Sequence, residues 1–174
     1  MSLADDLADE IDGILDQEWD IRDGQVIPET SDIALAGGGV NLKCVILYAD
    51  LADSTGLAMW NRKVAARIFK AFLACSTRLI RANGGSVRSF DGDRVMGVFI
   101  GGNKNTNAAK CALQINWMFQ NLLKPKFGAR FEKIGDGTHP LAHCTGVETG
   151  DTLVVRAGIR NNNDLVWVGR APNV

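Results

Sequence analysis

The feature that most constrains the fold is the apolar run Val45-Ile46-Leu47-Tyr48-Ala49, which stops at Asp50. It is continuous rather than alternating, the pattern of a strand covered on both faces, so it predicts a buried strand running out into the polar turn Leu51-Ala52-Asp53-Ser54-Thr55. A second acidic stretch, Val87 to Phe99, sets two β-rich arms around Asp91-Gly92-Asp93. It predicts a hairpin, because Asp-Gly supplies the φ > 0 backbone that a two-residue loop requires. If the two strands are neighbours, Asp50 and Asp93 meet, with Asp53 and Asp91 close by. Carboxylates crowded in this way have raised pKa values unless a divalent ion or a cationic side chain neutralises them. Oxygen ligands completed by water and substrate phosphates are the usual holders of Mg²⁺ or Mn²⁺. On spacing alone a second reading stands beside this one, in which Asp50 caps a helix and Asp91-Gly92-Asp93 is a plain polar turn.

In chain order, Leu3, Leu7, Ile11, Ile14 and Leu15 recur at helical spacing and predict an amphipathic helix over residues 2–19, with Ser2 as its N-cap and an acidic outer face. Residues 20–35 read as a small hairpin or extended arm, and Gly37-Gly38-Gly39 as a flexible joint, dividing the chain into an N-terminal unit, 1–40, and a catalytic unit, 41–174. Next come a strand over 43–49, a helix over 55–83 ended by Gly84-Gly85, the hairpin 86–100 and a helix over 105–123. Residues 124–139 read as a polar surface excursion. Strands over 141–148, 152–160 and 165–168 follow, with a turn at 161–164. The class is α+β, and the order strand, helix, strand, strand, helix, strand is the ferredoxin-like βαββαβ arrangement.

At 174 residues, 46% of them apolar, one compact core needs no disulfide or metal staple. The cysteines, Cys44, Cys75, Cys111 and Cys144, are isolated and read as thiols of a reducing compartment. A formal net charge of -1 offers no basic stripe for nucleic acid. There is no signal pattern and no apolar run of membrane-spanning length, so the expectation is a cytoplasmic protein.

The pattern of Tyr48-Ala49-Asp50-Leu51-Ala52-Asp53-Ser54-Thr55, followed by Phe90-Asp91-Gly92-Asp93-Arg94-Val95-Met96-Gly97-Val98-Phe99, resembles class III nucleotidyl cyclases. The likeness runs from about Lys43 to Val174. Thr145-Gly146-Val147-Glu148-Thr149-Gly150 is similar to that family's Gly-rich hairpin, and Val168-Gly169-Arg170-Ala171-Pro172-Asn173 to its Gly-x-x-x-Asn motif. In detail the variants look most like the pyrimidine nucleotide cyclases of bacterial Pycsar antiphage systems. The resemblance implies a ferredoxin-like core and cyclisation of a nucleoside triphosphate to a 3′,5′-cyclic signal in antiviral defence. It also implies two divalent ions, Mn²⁺ or Mg²⁺, held by Asp50, Asp93 and the Leu51 backbone carbonyl, and a ribose-orienting Asn173. The partners implied are the triphosphate and a second subunit, in a homodimer with composite sites.

The turn after Asp50 leads to a helix start, an anion site where Ser54 and Thr55 can donate to a triphosphate tail or cap the helix. The family's transition-state Arg stands four residues beyond Asn173. Because the chain stops at Val174, either the natural protein continues or a group such as Arg94 or Arg170 substitutes. Continuation is the preferred expectation, since ending one residue after a core motif leaves core uncovered.

Base choice is read from departures. Ser89 and Val166 stand where adenylate cyclases have Lys and Asp or Thr, and where guanylate cyclases have Glu and Cys. Val cannot satisfy the polar edge of a purine, and unpaired polar groups are costly. Tyr48, Arg88, Ser89 and Trp167 are candidates for a differently shaped pocket, with core packing of Trp167 and solvation of Arg88 as the other reading. Together with the motif variants, the mismatch favours a pyrimidine triphosphate, and the overall resemblance puts UTP ahead of CTP. The alternatives are a purine cyclase with an unusual pocket and a catalytically silent nucleotide-binding module.

Overall fold

The computed structural model describes residues 2–173. Helix α1, Leu3–Leu15, begins with a capping box: the Ser2 hydroxyl accepts from Asp5 N and the Asp5 carboxylate accepts from Ser2 N. Strand β1, Asp20–Asp23, pairs in parallel with β2, Gly38–Leu51. The arm is thus not a hairpin but part of the main sheet. Gly38 and Gly39 open β2 rather than forming a loose joint; a Cβ on Gly38 would stand 2.7 Å from the Ala34 backbone nitrogen. Close backbone approach, not flexibility, accounts for glycine there.

The stretch predicted as one helix is two, α2 (Ser54–Trp60) and α3 (Arg62–Ala82). Asn61 divides them: its backbone is extended and its carbonyl Oδ1 accepts from Lys63 N and Val64 N, the N-cap of α3. Gly84, at φ 77, closes α3, with Gly84 N donating to Arg81 O and Gly85 N to Ile80 O. Strands β3 (Ser86–Asp91) and β4 (Arg94–Phe99) form the expected hairpin.

Helix α4, Lys104–Met118, does not stop at Leu123. It widens into a π turn, Phe119–Leu123, and continues as α5, Lys124–Arg130, then α6, Glu132–Gly135. Pro125 explains the π turn: it has no N–H and its ring crowds the carbonyl four residues back, so Lys124 N bonds to Phe119 O instead. The segment after Leu123 lies largely at the surface, as expected, but it is helical over much of its length and anchored by the buried Ile134. The C-terminal strands also differ from expectation. One strand, β5 (His143–Ile159), runs unbroken through Thr145–Gly150, where a hairpin was expected, and turns at Arg160-Asn161 into β6, Asn162–Val168.

Strand order is β3-β4-β2-β5-β6, with β1 beside β2. Its first four members are antiparallel in the ferredoxin-like order, with α2, α3, α4 and the turns that continue α4 packed on one side. As the unbroken apolar run predicts, β2 has a core on each face. Under the helices lie Leu47, Ile68, Phe72, Phe99, Ile115 and Phe119. On the helix-free face Leu42, Ile46, Val98 and Val154 pack against Ile33 of the arm. Each such side chain fully buried contributes roughly 1.5–3 kcal/mol, so the arm helps to build the second core.

Candidate active site

Alternation along β2 puts Leu42, Cys44, Ile46, Tyr48 and Asp50 on the helix-free face. Directly paired residues share a face, so Cys144, Gly146 and Glu148 of β5 and Met96 of β4 lie there too, and Ser89 joins them through its pairing with Met96. The β2–β4 ladder ends at Ala49 and Val95, which leaves the β3–β4 turn beside Asp50. That turn is Gly92-Asp93, with φ +60 at Gly92 only, so glycine is needed at the first central position and Asp93 is delivered at the second.

The two carboxyls are within hydrogen-bond reach. Burial first, then the negative charge of Asp93, pushes the Asp50 carboxyl above its usual range; the Arg94 charge and the Leu51 backbone N–H oppose this. Asp93 Oδ2 is buried and has no hydrogen-bond partner among the described residues. An orphaned carboxylate oxygen beside a second carboxylate fits a hard cation with oxygen ligands. Among the described residues no group of three or more His, Cys, Asp or Glu is placed to hold a metal, so water and substrate oxygens would complete the shell. Leu51 is buried at the end of β2, opposite His143.

Arg94 lies 5.1 Å from the centroid of the Tyr48 ring and is paired to Asp91 at 3.0 Å. Arg88 sits at a bulge in β3, and its guanidinium is engaged by the arm, with Glu29 at 2.9 and 3.2 Å and the Pro28 carbonyl at 3.0 Å. Ser54 and Thr55 form the first turn of α2, whose N-cap is Asp53 at φ 52; the Asp53 carboxylate accepts from Gly56 N and so occupies part of the expected anion site. Val166 pairs with Val155, which places it on the other face of the sheet from Asp50, Tyr48 and Ser89 within one protomer. Trp167 and Leu165 pack on the helix-free core. Asn173 ends a short 3₁₀ turn, exposed, its amide donating to Gly169 O at 2.7 Å.

Sequence reasoning did not find that Cys144 stands directly opposite Asp50, or that Glu148 shares that face and is paired to Arg170. Only the β2–β5 register reveals them. A cleft of about 670 Å³ lies at the other end of β2 around Lys43, Lys104, Asp23 and Asp151. Asp50 and Asp93 do not line it.

No family model matches the chain. Among solved structures it is similar to the adenylyl cyclase CyaB from P. aeruginosa, with a TM-score of 0.68 and 20% identity over 78% of this chain and 69% of that one. It is likewise similar to the guanylyl cyclase Cya2, with a TM-score of 0.66 and 20% identity over 78% and 68%. Those likenesses establish a class III cyclase fold. In sequence it is 42% identical to a uridylate cyclase of Rhodovulum sp. (strain MB263), over 100% of this chain and 73% of the relative. It is 39% identical to a uridylate cyclase of Xanthomonas perforans, over 99% and 74%. On that identity and coverage, the chain belongs to the uridylate cyclase family.

Proposed function

We propose that this protein converts UTP to 3′,5′-cyclic UMP and pyrophosphate. The observation that carries the proposal is the Asp50–Asp93 pair, with the orphaned Asp93 oxygen, on the sheet face that the helices leave open. The 3′-oxygen bonds to the α-phosphorus, the bond from that phosphorus to the β-phosphate bridging oxygen breaks, and the hydroxyl proton leaves to solvent. Asp50 and Asp93, with the Leu51 carbonyl as a further donor, would hold two divalent ions, Mg²⁺ or Mn²⁺. Such ions acidify the 3′-hydroxyl and neutralise the β- and γ-phosphates.

The chain's own residues supply placement. Ser54 and Thr55 receive the triphosphate tail, and Asn173 orients the ribose. Tyr48 and Ser89, on the carboxylates' face, and Val166 shape the base site, which favours a uracil over a purine edge. Arg88 bears on that site through the arm it anchors.

The carboxylates stand, half-buried, on the sheet face that the helices leave uncovered, and Val166 lies on the opposite face. Both support sites completed by a second subunit. A boundary at residue 40 would cut β2 and detach the arm from its core, so the arm belongs with the catalytic unit 41–174; the product is placed in antiviral signalling by resemblance, and the protein in the cytosol, where its four free thiols are at home. Mixing inactive Asp93→Ala and Asn173→Ala proteins tests the composite site. Subunit exchange restores about a quarter of the wild-type activity if each site draws on both chains, since half the dimers are mixed and each has one intact site. No recovery after demonstrated exchange counts against it.

A further inference from the structure

The near-zero net charge conceals a sharp segregation. Helix α1 carries Asp5, Asp6, Asp9, Glu10 and Asp12 and no base, whereas α3 carries Arg62, Lys63, Arg67, Lys70, Arg78 and Arg81 and no acid. Helix α5 adds Lys124, Lys126 and Arg130, again with no acid. The acidic helix also has an apolar stripe that none of the described residues covers: Leu3, Leu7, Ile11 and Ile14 are each more than half exposed, and α1 has no buried residue. A 13-residue helix is marginal on its own in water, so this stripe calls for a surface.

The basic helical side offers one. A groove of about 370 Å³ is lined by Phe127 and Phe131 and rimmed by Arg67, Lys126 and Arg130. The two rings are stacked at 6.0 Å and only partly buried against the core. Apolar floor and cationic rim match the apolar stripe and acidic flanks of α1, in the manner of a helix laid into a groove. Self-pairing of two α1 helices would set acid against acid. Within one protomer, α1 instead lies by the β5–β6 tip, where Glu10 and Ile14 border a separate groove with Val155 and Ile159.

We propose that α1 of one copy docks in the Phe127–Phe131 groove of a second copy, with Asp6 and Glu10 set against Arg67 and Arg130. The contact is independent of the catalytic reading, and its test uses no activity. In a background with Cys75→Ser and Cys144→Ser, two proteins are made, one carrying Leu7→Cys and the other Arg130→Cys, and they are mixed under mild oxidation. A disulfide-linked dimer is expected from the mixture and not from either protein alone. Its yield should fall about tenfold in high salt or with Arg67→Glu, and should recover when Arg67→Glu meets Glu10→Lys. Because α1 lies outside both cores, its substitutions leave the fold intact, as circular dichroism will confirm. No cross-link in the mixture, or a cross-link from the Leu7→Cys protein alone, overturns the proposal. So does binding of RNA or anionic vesicles by the groove without cross-linking, which would assign the basic face another occupant.

Discussion

Asp50, at the end of β2, and Asp93, in the β3–β4 turn, bring their carboxyls within hydrogen-bond reach, and burial and mutual repulsion raise the Asp50 pKa. Holding that pair together costs stability when no cation is present. The cost is absent below the unfolded-chain value of 3.8 and complete above the raised native value, because the folded state binds the proton more tightly. Asp50→Asn should therefore raise the thermal midpoint of the metal-free protein at neutral pH by ~2–4 °C, while lowering turnover by roughly 10²–10³-fold. Calorimetry and a product assay on the same sample check both; a lower midpoint contradicts the account.

Mn²⁺ should stabilise the wild-type protein through the same pair. At a hundred times its dissociation constant the gain is about 2.7 kcal/mol. Differential scanning fluorimetry should show the shift with wild type and lose it with Asp93→Ala.

Gly38 is held by close backbone approach, since an added Cβ would meet Ala34 N at 2.7 Å and Ala34 O at 2.8 Å. Gly38→Ala should cost about 1–3 kcal/mol in urea unfolding. A flexible joint at this point would give no loss.

Arg88 fastens the arm to β3 through Glu29 and Pro28. Arg88→Ala should expose residues 24–33 to limited proteolysis and lower kcat/KM. Glu29→Gln should do less, because the bond to the Pro28 carbonyl survives. Equal protease resistance in Arg88→Ala and wild type would show that the anchor is idle.

His143 is wedged against Phe119, with ring centroids 4.5 Å apart and Nε2 3.1 Å from Asn116 Oδ1. Burial lowers its pKa below 6.5, so the native state binds the proton less tightly than the unfolded chain does. Stability should fall as pH drops below 6.5 towards the lowered native value, and urea midpoints of His143→Gln should show a shallower fall there. Parallel slopes would contradict this.

How much was legible depended on whether the information was local. The unbroken run 45–49 and the Asp-Gly turn announced the central strand and the hairpin, because burial on two faces and positive φ leave residue-level marks. Ser2 announced its cap. The split at Asn61 was missed because helical periodicity continues across it, while the extended Asn61 backbone ends α2 and its side chain caps the start of α3. The π turn was missed because Pro125 reads as a terminator, although a widened turn lets the helix pass. Gly38-Gly39 reads as a linker until Ala34 is seen against it. Cys144 is paired with Asp50 across strands and follows only from the register, and the Arg88–Glu29 ion pair joins residues far apart in sequence that only the fold of the arm brings together.

Product identity tests the central claim most directly. The protein is incubated with each of the four ribonucleoside triphosphates separately in the presence of Mn²⁺, with Asp93→Ala as control, and products are identified by mass spectrometry. The account predicts cyclic UMP from UTP, absent in the control. Cyclic AMP or cyclic GMP as the main product, or cyclic UMP that persists in Asp93→Ala, would contradict it.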